Sequence, residues 1–392
     1  MVPTSIVPNM DRSTWQKVRF GEVVRCTDET CRDPLAAGLT RIVGLDHLDS
    51  GELQIHRWGE VSEGTSFTRV FRKGQVLFGK RRAYQRKVAV ADFEGICSGD
   101  LLVFEPKGQE LIPELLPFIV QSDAFFCNAV GTSAGSLSPR TKWKELAEFE
   151  FILPNKSDQV RIASILSEVQ LLLLSWRNVE DSLNLAGEAI ASSVLQSGVP
   201  TRLGALLDSC EYGLSIPPMQ EGAHPILRMM NLENGYVSLN EMRYVDLDAK
   251  TFESYRVKPK DIIFNRTNSI DLVGKLGYNE HDDGCVFASY LLRLRVNEEA
   301  TDAEVLAFLL NSPGMQRRIN ALATRGASQA NINAKNLRNL IFSAPDMKSL
   351  PALREKIHAI RLARESLWSQ LEQATRLKQE LTAHFFGDSN GL

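Results

Sequence analysis

The chain has 392 residues, a formal net charge of −3, 43% hydrophobic and 24% charged residues. This is ordinary globular composition, which argues against disorder outside the ends, and it is too long for one ordinary core. The slight acidity excludes a uniformly basic nucleic-acid binder, so any such role must rest on local charge.

The first residues, MVPTSIVPNM, lack the basic start and apolar centre of a signal peptide, and no 18-residue apolar run follows. A cytoplasmic protein without membrane association is expected. Residues 1–14 read as an N-terminal extension. Residues 15–153 read as a first globular unit of mixed α and β structure. Within it residues 69–78 form an apolar strand run, residues 92–95 (Asp-Phe-Glu-Gly) a turn, residues 101–104 a buried strand and residues 113–126 a helix opened by Pro113.

Residues 154–198 read as a long central helix. Ile162, Val169, Trp176, Leu183 and Ile190 recur every seven residues, with Ile165, Leu172, Val179 and Ala186 as the expected companions of an a/d seam. Residues 199–344 form a second unit with strand runs at 256–264 and 291–296 and a helix near 303–311. Residues 345–387 form a second long helix, whose seam is Leu353, Ile360, Leu367, Ala374 and Leu381, with Ile357, Arg364, Leu371 and Lys378 as companions. Residues 388–392 are a tail.

The two halves share a register. Gly135 precedes Pro154 as Gly326 precedes Pro345, and both pairs are separated by 191 residues (326 − 135 and 345 − 154). Two similar heads and two matching seams predict an internal repeat in which the helices pair antiparallel.

Catalytic motifs fail on inspection. Residues 74–80 (GQVLFGK) begin like a phosphate-binding loop, but Arg81 stands where Ser or Thr would hold magnesium. Residues 131–135 (GTSAG) fit a nucleophile elbow without the strand and helix that elbow requires. The six histidines and six cysteines show no metal-ligand spacing. No catalytic residue, metal or cofactor is therefore expected in this chain.

Local charge does carry a signal. Arg69, Arg72, Lys73, Lys80, Arg81, Arg82, Arg86 and Lys87 fall in one stretch without an acidic residue, and Tyr84 is interleaved. Such a stretch suits phosphates, and arginine can meet guanine with two parallel bonds. The matching place in the second half is polar: Asn265, Arg266, Asn268 and then Lys275. A second pair of loops corresponds, Ser136 and Arg140 in the first half, and Arg325, Ser328, Gln329 and Asn331 in the second.

The blocks GQVLFGKRRAYQRKVAVADFEGICSGDLLVF (residues 74–104), PELLPFIVQS (113–122), GSLSPR (135–140) and FILPNKSDQVRIASIL (151–166) together resemble the specificity subunit of type I restriction-modification systems. The second copy keeps the outline but departs at residues 343–348, where the family's glutamine after the proline is missing. The resemblance implies an α+β fold: two mixed α/β target recognition domains in tandem, joined by two long antiparallel coiled-coil helices, with a pseudo-two-fold repeat. It also implies that each domain reads one half of a bipartite double-stranded DNA target, while the helices fix the spacer and dock two modification subunits. S-adenosylmethionine would then belong to the modification partners, and cleavage to restriction (translocase/nuclease) subunits. The alternative readings are a stand-alone DNA-modifying enzyme or a two-headed adaptor.

Overall fold

A computed structural model describes residues 10–270, 272–326 and 329–387, with Arg325 described by its backbone alone. The first nine residues of the expected extension, the tail and Ser328 lie outside the described residues. The chain divides into two compact units, one comprising Met1–Arg177 with Ser369–Leu392 and the other Asn178–Trp368.

In the first unit a four-stranded sheet runs in the order Val24–Thr27, Leu101–Pro106, Val76–Gly79, Val88–Val90. Its central strands read as unbroken apolar runs because both faces are covered. Val76, Phe78, Leu102 and Phe104 face a large core shared with helices, while Leu77, Leu101 and Val103 face a smaller core on the other side. Phe20, Phe78, Phe104 and Phe125 interlock in the large core with ring centroids 4.8–5.7 Å apart, and each contributes about 1.5–3 kcal/mol by leaving water. A second four-stranded sheet packs Gly59–Glu60, Arg41–Val43, Gly95–Cys97 and Arg69–Phe71, and Gln16–Arg19 pairs antiparallel with Glu150–Leu153.

Two expectations are corrected here. The run at 69–78 is two strands, because Gly74 turns at φ +88° and donates to Ala91 O at 2.7 Å. The helix expected at 113–126 is Leu116–Gln121 followed by Asp123–Gly131. Ser122 is extended at ψ 150° and its side chain accepts from Phe125 N, so it starts a new helix instead of continuing the first.

The second unit centres on a six-stranded sheet in which Ile262–Asn265 lies between Leu291–Val296 and Leu276–Tyr278. Ile262 and Phe264 face one core and Ile263 the other. The buried Arg293 interrupts the apolar pattern and is held through its two terminal nitrogens: it pairs with Glu211 and donates to the carbonyls of Arg256 at 2.7 Å and Ser254 at 3.0 Å. The strand expected at 256–264 begins only at Ile262, since Lys260 turns at φ +72°. The helix Ala303–Asn311 and the strand Leu291–Val296 fall where the sequence puts them. Val199–Arg202 pairs antiparallel with Ile341–Ala344.

The long helices are Lys156–Ser197 and Leu350–Phe386. The first starts at Lys156, not Pro154, because Asn155 Oδ1 accepts from Asp158 N at 3.0 Å and caps it. The second starts five residues after Pro345, because Asp346 holds a turn by accepting from Ser349 N at 2.8 Å. In the first unit Ile162, Leu166, Val169 and Leu173 share a core with Ala374, Leu381 and Phe385. In the second unit Trp368 Nε1 donates to Glu180 at 3.0 Å and Arg364 to Asn184 at 2.9 Å. One number rises as the other falls, so the helices run antiparallel there.

The seam needs one correction. Ile162, Val169, Leu353, Ile360, Leu367 and Leu381 are buried, while Trp176, Leu183 and Ile190 are half-buried. The expected companions of the first helix are not its inner face: Ile165 is half-buried, and Leu172, Val179 and Ala186 are exposed. Leu166 and Leu173 are buried in their place. At about 100° per residue they lie roughly 40° from the preceding seam residue, whereas Leu172 lies roughly 60° away on the opposite flank. The companions of the two helices then keep the same 191-residue spacing as the seam (357 − 166 and 364 − 173).

Candidate nucleic-acid interface

In the first unit two distant loops are fastened together. Lys80 follows the central strand, and its carbonyl accepts from Thr141 N at 3.0 Å, while Arg82 N donates to Pro139 O at 2.7 Å. Asp100 ties the same loops through side chains: Arg140 Nε donates to it at 3.0 Å and Arg81 at 3.1 Å. Burial pushes the Asp100 carboxyl up, but the bonds from Arg140 and Arg81 outweigh it and hold the group below the usual carboxylate range. Burial, and then the charge of Arg69, lowers Lys80.

Arg82 and Arg86 both adopt φ 53°, flanking one turn at Ala83–Gln85. Left-handed backbone at two non-glycine residues costs on the order of 1–3 kcal/mol each and persists where the surroundings dictate it. The turn leaves Tyr84 exposed. Lys80, Arg81, Arg82, Tyr84, Ser136 and Arg140 therefore lie on two loops that are bonded to each other. Three other basic residues are tethered to the frame: Arg69 donates to Leu101 O at 2.6 Å, Lys87 to Leu45 O at 2.9 Å, and Arg86 to Gln121 O at 3.1 Å while pairing with Asp123.

The second unit joins the corresponding loops by a small sheet, in which Thr267–Asn268 pairs with Ala330–Asn331 and that strand with Thr324–Arg325. Arg266 lies over the Tyr212 ring at 4.9 Å and donates to Asn331 Oδ1 at 3.0 Å, and Asn331 Nδ2 donates to Thr267 Oγ1 at 3.0 Å. Asn265 is corrected from reader to support: it is buried and its Nδ2 donates to Leu272 O at 3.2 Å. Asn268 is half-buried, with its Nδ2 on Met229 Sδ at 3.2 Å, and Lys275 and Gln329 are exposed.

Sequence reasoning missed Asp100 and Tyr212, which organise the arginines, because each lies far along the chain from the loop it holds. It also passed over Leu137, between Ser136 and Arg140, because an apolar residue in a polar loop carries no charge signal. Among the described residues no group of three or more acidic, cysteine or histidine side chains could hold a metal, and no helix is long and apolar enough to cross a membrane.

Residues 12–176, which carry the first pair of loops, match the family of the type I restriction modification DNA specificity domain. The first unit is thus similar to the type I restriction-modification specificity domain. The chain is 21% identical over 182 residues to the specificity subunit of the type I restriction enzyme EcoKI from Escherichia coli K12, covering 45% of this chain and 39% of that one. It is 26% identical over 186 residues to the StySPI specificity subunit of Salmonella potsdam, covering 46% and 40%. The aligned parts thus span about two fifths of those relatives. The fold is similar to that of a type I restriction-modification S subunit from M. genitalium, with a TM-score of 0.58, 12% identity and 98% of each chain covered. It is also similar to a chain from a type I restriction-modification assembly, with a TM-score of 0.50, 19% identity, and 95% of this chain and 98% of that one covered.

Proposed function

We propose that this chain is a type I restriction-modification specificity subunit, which reads a bipartite double-stranded DNA sequence, one half with each unit, and serves as the scaffold of the complex. One observation carries the reading. In both units the loop after the central strand is bonded to the loop that follows the helical layer, and the fastened pair presents cations in one unit and amides beside Arg266 in the other. Arginine and lysine neutralise phosphates, while arginine and asparagine fit guanine and adenine edges. Two heads with one frame and different loops suit two different half-sites.

In this reading the halves are a repeat of one target recognition domain, residues 15–153 and 199–344. The helices form an antiparallel coiled coil that fixes the unread spacer and docks two modification subunits. Methyl transfer from S-adenosylmethionine to adenine, and cleavage by restriction subunits, belong to those partners in the cytoplasm. The test is labelled methyl transfer by the purified chain with and without its modification subunit, followed by methylome sequencing of a host expressing both. Methylation of one bipartite sequence only with the partner supports the proposal. Methylation by the chain alone would favour the stand-alone enzyme, and a complex that selects no sequence would favour the adaptor.

A further inference from the structure

Leu137 is 91% exposed, more than any other large hydrophobic side chain among the described residues. It does not sit on a loose end. Ala134 and Arg140 exchange two backbone hydrogen bonds of 3.0 Å across the loop, and Gly135 turns at φ +113°. On the far side of the tip Ser138 Oγ accepts from Arg81 Nε at 2.7 Å and Pro139 O accepts from Arg82 N at 2.7 Å. The tip is thus bonded on both sides, and its two neighbours in sequence, Ser136 and Ser138, are small. A leucine held in water by a braced loop forgoes burial that a serine there would not miss.

Its surroundings indicate what would cover it. Arg81 and Arg140 flank the tip and share one carboxylate, Asp100, so two guanidinium groups retain a net positive charge beside it. Tyr84, 57% exposed, stands on the facing loop between two left-handed arginines. An apolar side chain carried between cations is suited to a surface that is anionic outside and apolar inside, which describes the sugar-phosphate backbone and the stacked bases it encloses.

We infer that Leu137 is a wedge that enters the base stack of the half-site faced by the first unit, partly unstacking one step while the flanking arginines hold the phosphates. The inference rests on the DNA-reading function proposed above. It assigns part of the specificity to deformability: a pyrimidine-purine step, the easiest to open, is favoured where Leu137 enters.

The experiment uses the full chain with its modification subunits on duplexes carrying the methylated sequence, with permanganate reactivity of thymines as the measure of unstacking. The wild-type complex should open one step in or beside a single half-site. Leu137→Ala should abolish that reactivity and weaken binding about tenfold, the size of one lost apolar contact with a base, while Leu137→Phe keeps both. Unstacking that persists in L137A at a step other than the methylated position, or L137A binding as tightly as wild type, overturns the wedge and leaves DNA reading intact. A wild-type complex that binds no sequence specifically overturns both. Base extrusion by the modification subunits is recognised by its persistence in L137A at the methylated position.

Discussion

Lys378 donates from Nζ to Gln121 Oε1 at 2.8 Å, joining the second long helix to the end of the helix Leu116–Gln121 in the first unit. The same ammonium donates to Gln170 of the first long helix at 2.6 Å. Gln121 in turn accepts, at its carbonyl, the hydrogen bond of Arg86 from the basic loop. Gln121 and Lys378 together therefore link the loop and both helices within that unit.

Burial, and then the charge of Arg177, pushes the Lys378 ammonium down to about 8. Its folded value lies below its unfolded value of 10.5, so between those limits the unfolded chain holds the proton that the folded chain has released. Stability contributed by this group therefore rises as pH climbs from about 8 towards 10.5, and the burial cost is fully present below 8. The half-buried thiol of Cys210, pushed up to about 11 by desolvation, acts in the opposite direction above pH 9. The difference between wild type and Lys378→Met isolates the lysine. Melting curves from pH 7 to 10 should show the wild type gaining on the variant as pH rises, and a constant difference would contradict the assignment.

The corrected seam gives a sharper contrast. Leu173 is buried and its neighbour Leu172 is 43% exposed. Leu173→Ala removes packed atoms from the core shared with Ala374 and should cost about 2–4 kcal/mol, as large-to-small changes in cores do. Leu172→Ala should cost below about 0.5 kcal/mol. Urea titration of the two variants measures both. Equal losses would restore the seam in which Leu172 faces inward.

What could be read from the sequence follows from how each feature is encoded. Leu291–Val296 and Ala303–Asn311 are legible because burial and helix periodicity act over adjacent residues. Ile162 and Val169 are legible for the same reason, but the choice between Leu172 and Leu173 turns on about 100° of helix rotation, which a heptad count does not resolve. The break at Ser122 depends on one side chain accepting from Phe125 N, and Pro113 upstream masks it. In the site, Arg81 and Arg140 announce themselves by charge, whereas their carboxylate, Asp100, lies beyond the basic run, and Asn265 looks like a reader until the sheet encloses it.

Asp100 should govern how selective the first unit is. Its carboxylate compensates two arginines, and it remains ionised well below neutral pH because Arg140 and Arg81 outweigh its burial. Asp100→Ala should free both guanidinium groups, raise affinity for unrelated DNA and steepen the salt dependence by about one further phosphate. Discrimination at one half-site should fall while the other is unchanged. Anisotropy titrations across salt concentrations, with each half-site scrambled in turn, read all three effects. An unchanged salt slope would place the arginines away from phosphates.

Asn331 makes the corresponding test in the second unit. It accepts from Arg266 at 3.0 Å and donates to Thr267 Oγ1 at 3.0 Å, so it fixes the guanidinium against the Tyr212 ring and fastens two strands. Asn331→Ala leaves Arg266 charged but unfixed, and rigid placement is what separates reading a base from attracting a phosphate. Affinity for unrelated DNA should change less than threefold, while preference at the second half-site relaxes by about 1–3 kcal/mol per base pair contacted. Asn331→Asp should hold the arginine by charge and retain more of the preference than alanine does. Methylome sequencing of hosts expressing each variant measures the outcome. Relaxation at the half-site belonging to the first unit would show that the two heads do not read independently.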